Sequence, residues 1–182
     1  MLLEQIGLIF SIEESMVIET LNLDLPPSKI AEFWAREKAR SISISNINSI
    51  VIGADTIVTS KDNIFGKPKK KKESMKMLQI LSGKTHQVIT GVSMNYKKFN
   101  IEHTFHNLTQ VTFQSYNKKE ILEYVETEKP FDKAGSYGIQ DSFAKHVKSI
   151  NGCYYNVVGF PLSDFFYYFK KLCKEIEKYD NC

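Results

Sequence analysis

The run Ser49 to Thr59, SIVIGADTIVT, constrains this chain more than any other stretch. Its β-branched residues predict a buried central strand. Yet Asp55 follows Val51, Ile52, Gly53 and Ala54, at a place where hydrocarbon is the default. A charge there needs a partner. Pattern alone leaves two readings open. One is a carboxylate at a strand end, satisfied by nearby backbone N–H groups. The other is a general base or metal ligand, held in fixed geometry by a rigid strand.

The flanking sequence predicts further elements. Leu2 to Ile6 followed by Gly7 reads as the last turn of a helix that begins before Met1. Leu8 to Ile12 reads as a short strand, and the polar, acidic stretch through Pro26-Pro27 as a long loop. Ile30, Phe33 and Trp34, with Ala31, Ala35 and Ala39, fit a helix from Ser28 to about Ile42. Lys61-Asp62-Asn63 turns the chain after the central strand, and Met75, Leu78 and Leu81 mark a helix ended by Ser82-Gly83. Thr85 to Met94 and Ile101 to Ser115 form the arms of a hairpin around NYKKFN, with a helix from Lys118 to Glu126 after it. FDKAGSYGIQD, Phe131 to Asp141, reads as a functional loop, Asn151-Gly152 as a tight turn, and Ser163 onward as a closing amphipathic helix carrying Phe165, Phe166, Phe169, Leu172, Cys173 and Ile176. Alternating strands and helices without an internal repeat make this an α/β chain.

Composition removes several classes of function. With 182 residues, 42% hydrophobic and 25% charged, the chain has the profile of one ordinary folded domain rather than a disordered segment. No apolar run approaches the ~18 residues needed to span a bilayer, and Glu4 stands where an export signal would carry basic residues. A net charge of +3 does not imply nucleic-acid binding. Cys153, Cys173 and Cys182 are odd in number and widely spaced, which predicts reduced thiols in a cytoplasm rather than a disulfide framework or a C-x-x-C motif.

Other candidate sites are few. Gly66-Lys67-Pro68 reads either as a plain turn or as a turn presenting a cation, and it is not a Walker loop because G-x-x-x-x-G-K-S/T is absent. Lys69 to Lys72 lack interleaved aromatics and read as a solvated helix face. His103 and His106 are three apart in a predicted strand and so point to opposite faces, while His86 and His146 stand alone, which argues against a protein-built zinc site. No G-x-S-x-G elbow exists. What remains is a set of carboxylates, Glu19, Asp55 and Asp132, and lysines, Lys38, Lys67 and Lys133. That inventory suits a polyanion bound with Mg²⁺, whose hard oxygen ligands include substrate phosphates.

VIGADTIV, FGKP, LSGKTHQVITGV, FDKAGSYGIQ and YYNVVGFPL, in this order, resemble the Maf family of nucleoside triphosphate pyrophosphatases over effectively the whole chain. The resemblance implies an elongated mixed sheet flanked by helices, two lobes around a cleft, kinship with inosine triphosphate pyrophosphatases and a homodimer. It implies hydrolysis of a nucleoside triphosphate to the monophosphate and pyrophosphate. Asp55 would be the proton acceptor that activates water. Glu19 would join it in binding Mg²⁺ or another divalent cation, and Lys38 and Lys67 would contact phosphates. Thr56 and Gln140 are similar to the branch acting on dTTP and UTP, whereas the 7-methyl-GTP branch tends to carry Gln and Glu. A hydroxyl and an amide can read the O and N–H edge of a pyrimidine.

Two departures from the family accompany this reading. Relatives open with a strand ending in S-x-S-P-R-R, and this chain begins after it, which predicts a single Maf-like domain over 1–182 that is N-terminally truncated and weak or silent in turnover. Asp141 and Phe143 stand where relatives commonly have Gly. An alternative is therefore an impaired nucleotide-binding or division-regulating protein, and a third is a nucleic-acid binder using Lys69 to Lys72, distinguished by a salt-sensitive affinity for oligonucleotides.

Overall fold

A computed structural model describes residues 2–61 and 63–180. Asp62 of the predicted turn and the thiol of Cys182 lie outside the described residues. In chain order the elements are α1 (Leu2–Gln5), α2 (Pro27–Ser43), β1 (Ile50–Ser60), β2 (Asn63–Phe65), α3 (Lys71–Leu81), β3 (Thr85–Tyr96), β4 (Ile101–Phe113), α4 (Lys118–Glu128), β5 (Val147–Asn151), α5 (Tyr154–Val158) and α6 (Leu162–Asp180). The strands form one five-stranded sheet in the order β2-β1-β3-β4-β5, flanked by helices. β1/β2 and β4/β5 are antiparallel pairs, and the second carries an irregularity at Thr112/Phe113. No helix among the described residues is long and apolar enough to cross a membrane.

The chain divides into two compact units. The first holds residues through Asp55, Thr90–Asn107 and the chain from Gly159. Its core joins Val92, Met94, Tyr96, Ile101 and Phe105 to Phe165 and Leu172 of α6, with Ile50, Ile52 and Ala54 packed against them. Ile50, Ile52 and Ala54 of β1 and Val92, Met94 and Tyr96 of β3 therefore face α6, alternating as the period of a strand requires. Phe166 stays 42% exposed, so the predicted apolar stripe of α6 is narrower than its aromatic content.

The second unit holds Thr56–Ile89 and Leu108–Val158. Its core is aromatic, with Phe113, Tyr116, Tyr124, Tyr137 and Phe143 gathered with Leu78, Leu81 and Val111. α4 opens on a capping box, Asn117 accepting from Lys119 and Glu120 N–H while Glu120 accepts from Asn117 N–H. α3 ends at Leu81, with Gly83 at φ +67° two residues on. Lys71 and Lys72 lie on its exposed face, and Lys71 is paired with Glu126, which fits the solvated reading of this lysine run.

Two expectations need correction, and two strands went unread. Leu8 to Ile12 is not a strand: Leu8 packs against the first core, but Ile9 and Ile12 are exposed and no neighbouring strand pairs with the segment among the described residues. A strand exists through its ladder, and apolar alternation does not supply one. Asn151-Gly152 makes no hairpin turn. Asn151 ends β5, and Gly152, at φ +127°, passes so close to β4 that a Cβ would lie 2.9 Å from Thr109 Oγ1. β2 and β5 themselves escape the sequence reading, because three residues are too few to show a period and VKSIN is mostly polar.

Candidate active site

Two glycines set the distance at which this site is built. A Cβ on Gly53 of β1 would lie 2.2 Å from the Ala35 carbonyl oxygen, and one on Gly91 of β3 would lie 2.3 Å from that of Ala31. Real side chains do not come so near, so α2 approaches these strands this closely because both residues lack one. The helix supplies a matching stripe, Ala31, Ala35 and Ala39, wholly buried and four residues apart on one face. Lys38 leaves the helix beside Ala39, and Asp55 stands two residues beyond Gly53 on the same face of β1.

Lys38 Nζ donates to Asp55 Oδ1 at 2.7 Å and to the Ala54 carbonyl at 3.2 Å. Its third partner is Glu19 Oε1, also at 2.7 Å. Glu19 arrives on the irregular stretch ahead of α2, which the helix ties down from its own side. The Trp34 indole N–H donates to the Thr20 carbonyl at 2.8 Å, next to Glu19. Further along, Asn46 Nδ2 donates to Glu13 Oε2 at 3.1 Å. Three oxygens from two segments thus surround one ammonium.

Burial pushes the Asp55 carboxyl above the usual carboxylate range, Lys38 draws it back, and Glu19 adds to the rise. Burial acts on Lys38 in the opposite sense, but the two carboxylates outweigh it and hold the ammonium above its ordinary pKa. The directions are compatible. A cation shared by two carboxylates keeps its proton firmly, while the more deeply buried carboxylate becomes a stronger base than it would be in water.

The donor set also bears on a metal. Glu19 and Asp55 already converge on one cation, and hard carboxylate oxygens are what Mg²⁺ prefers. No group of three or more His, Cys, Asp and Glu gathers at one place among the described residues. These residues therefore fit a metal that keeps waters and shares phosphate oxygens, and do not fit an all-protein cage.

The remaining expected site residues belong to the second unit. Thr56 is half-buried in β1, and alternation turns it to the face opposite Asp55. Lys67 is exposed on the loop between β2 and α3, and Pro68 is buried behind it. The Gly66 carbonyl accepts from Gly135 N–H at 3.1 Å, tying this turn to the FDKAGSYG loop. On that loop Lys133 Nζ donates to Asp132 at 2.9 Å, and Lys133, with Lys67 nearby, holds the Asp132 carboxyl below its ordinary value. The sequence inventory therefore resolves into Glu19, Lys38 and Asp55 in one unit and Lys67, Asp132 and Lys133 in the other.

Gln140 is exposed on a turn. The two departures beside it have structural work to do. Asp141 accepts from Phe143 N–H at 3.0 Å and from the Tyr124 hydroxyl at 2.9 Å, and Phe143 is fully buried among the aromatic rings. His103 and His106 do point to opposite faces, towards Glu175 of α6 and Glu32 of α2.

The sequence pattern of the family described as Maf-like protein matches residues 1–172. The chain belongs to the Maf family. Among Maf relatives, a Bacillus pumilus protein named dTTP/UTP pyrophosphatase is 46% identical over 162 residues, covering 89% of this chain and 85% of its own length. A Bacillus anthracis protein of the same name is 44% identical over 179 residues, covering 98% and 89%. A third, from Bacillus cytotoxicus, is 42% identical over 180 residues. Within this Maf chain the residues that sequence reading passed over are positional: Gly53, Gly91 and Trp34. The signal for the glycines was legible, since an isolated glycine inside a strand marks close backbone approach.

Proposed function

We propose that this chain hydrolyses dTTP and UTP to the nucleoside monophosphate and pyrophosphate, with Asp55 as proton acceptor. The observation that carries the reading is Asp55 itself, a buried carboxylate held on a strand by Lys38, with a second carboxylate on the same ammonium. The water oxygen bonds to the α-phosphorus, and the bond from that phosphorus to the oxygen bridging to the β-phosphate breaks. Pyrophosphate leaves with the bonding pair. Asp55 takes the proton, and a base held in place in this way contributes roughly 10²–10⁴-fold.

In this reading Glu19 and Asp55 would hold a divalent cation, Mg²⁺. When bound, the ion neutralises charge on the phosphates. Lys38 and Lys67 contact phosphate oxygens, and Thr56 and Gln140 read the pyrimidine edge. The relatives' shared name supports the substrate pair. A homodimer, a cytoplasmic location and the kinship with inosine triphosphate pyrophosphatases come with the proposal.

The test is pyrophosphate release from a panel of nucleoside triphosphates with Mg²⁺, for the wild-type chain and Asp55→Asn. The variant keeps shape and nucleotide binding and should lose at least ~100-fold in turnover. A fully active Asp55→Asn would remove Asp55 as the base. A wild-type chain that binds dTTP and UTP but releases nothing would favour the impaired nucleotide-binding protein.

A further inference from the structure

The ammonium of Lys38 sits where a cation shared by Glu19 and Asp55 would sit, 2.7 Å from one oxygen of each and 3.2 Å from the Ala54 carbonyl. We infer that Lys38 is a built-in stand-in for the metal: it holds the carboxylate pair in the nucleotide-free protein and has to leave before a divalent cation can enter. The inference rests on the function proposed above and concerns the order of events in the same site.

Three physical points support it. Mg²⁺ binds oxygens at about 2.0–2.1 Å and cannot share the gap with a nitrogen already in contact with both carboxylates. A second cation beside the ammonium would also be repelled, most strongly at Asp55, which is 7% exposed, and less at Glu19, whose side chain is 37% exposed and better screened by water. Finally, Lys38 is a compact charge on a flexible four-carbon stem, so its head can swing to another acceptor without moving α2. A triphosphate supplies such acceptors. Nucleotide binding then frees the pair for the metal, and by reciprocity the metal favours nucleotide binding. Lys38 in this role guards the carboxylate pair before it contacts phosphate.

The experiment measures Mn²⁺ binding by electron paramagnetic resonance, with no nucleotide present, to the wild-type chain, Lys38→Met and Lys38→Arg. Lys38→Met should bind Mn²⁺ about tenfold tighter or more, and Lys38→Arg, which keeps a cation in place, should stay near wild type. Equal affinity in the wild type and Lys38→Met overturns the inference. Lys38→Met removes a buried cation, so its fold is checked by circular dichroism, and a measurement on the wild-type chain asks the same question. In a Mg²⁺ titration followed by ¹⁵N NMR of the lysine ammonium groups, with Lys38→Arg identifying the signal, the Lys38 resonance should move as Mg²⁺ fills the pair. A titration that saturates with that resonance unmoved overturns the inference. A wild-type chain that shows the exchange but releases no pyrophosphate sinks the proposed function and leaves the exchange standing. An active chain with unchanged Mn²⁺ affinity in Lys38→Met does the reverse.

Discussion

Acid should weaken this protein through one histidine outside the candidate site. His86 is 2% exposed, with Phe113 and Tyr137 rings at 4.6 Å and 5.4 Å, and its Nε2 lies 2.8 Å from the Tyr137 hydroxyl. Its Nδ1 has no partner among the described residues. Burial pulls its pKa from 6.5 down to about 4. The folded protein therefore keeps the imidazole neutral, while the unfolded chain takes up a proton once the pH falls below 6.5. Below that value the unfolded state binds more protons, so stability is whole above pH 6.5 and is lost progressively as the pH falls towards 4. At ~1.4 kcal/mol per unit, His86 alone removes about 2–3 kcal/mol between roughly pH 7 and pH 4.5. That is a large part of the ~5–15 kcal/mol that holds a domain folded.

Urea unfolding followed by circular dichroism across this range measures the loss. His86→Phe keeps the ring in the aromatic cluster and cannot titrate. It strands the Tyr137 hydroxyl, at a cost of about 1–3 kcal/mol at neutral pH, so the quantity to read is the slope and not the level. The variant should lose about 2–3 kcal/mol less than the wild type on acidification. His146, which burial displaces in the same direction, remains in both proteins and leaves a residual slope. Parallel pH curves for the two proteins would refute the reasoning.

Two further substitutions test how the fold positions the site. Gly53→Ala places a methyl 2.2 Å from the Ala35 carbonyl, which α2 can relieve only by backing away; thermal melts should report a loss of about 1–3 kcal/mol, and pyrophosphate release should fall as Lys38 withdraws from Asp55. An unchanged melting temperature would show that the helix is not held at this distance. Asp141→Ala deletes an acceptor for both Phe143 N–H and the Tyr124 hydroxyl, and should cost about 1–2 kcal/mol while raising KM for the pyrimidine nucleotides if Gln140 reads the base as proposed; wild-type KM for both would break the link between that cap and the Gln140 turn.

Much of the architecture was legible in the residues themselves. β-branched runs predicted β1, β3 and β4, helical spacing predicted α2, spacing with a glycine stop predicted α3, and the closing stripe predicted α6, because local period and turn chemistry act on neighbours in the chain. Elements that depend on a partner were not legible: Leu8 to Ile12 has the alternation of a strand and no ladder, while β2 and β5 have ladders with little pattern. The site divides in the same way. The sequence by itself placed a carboxylate in a central strand, carried the family's ordered motifs and supplied the lysines. The tertiary structure decided which lysine meets that carboxylate, because Lys38 and Asp55 are seventeen residues apart and meet where Gly53 and Gly91 let an alanine-faced helix come down onto β1 and β3. That contact is a matter of backbone clearance in space, a quantity no linear spacing encodes.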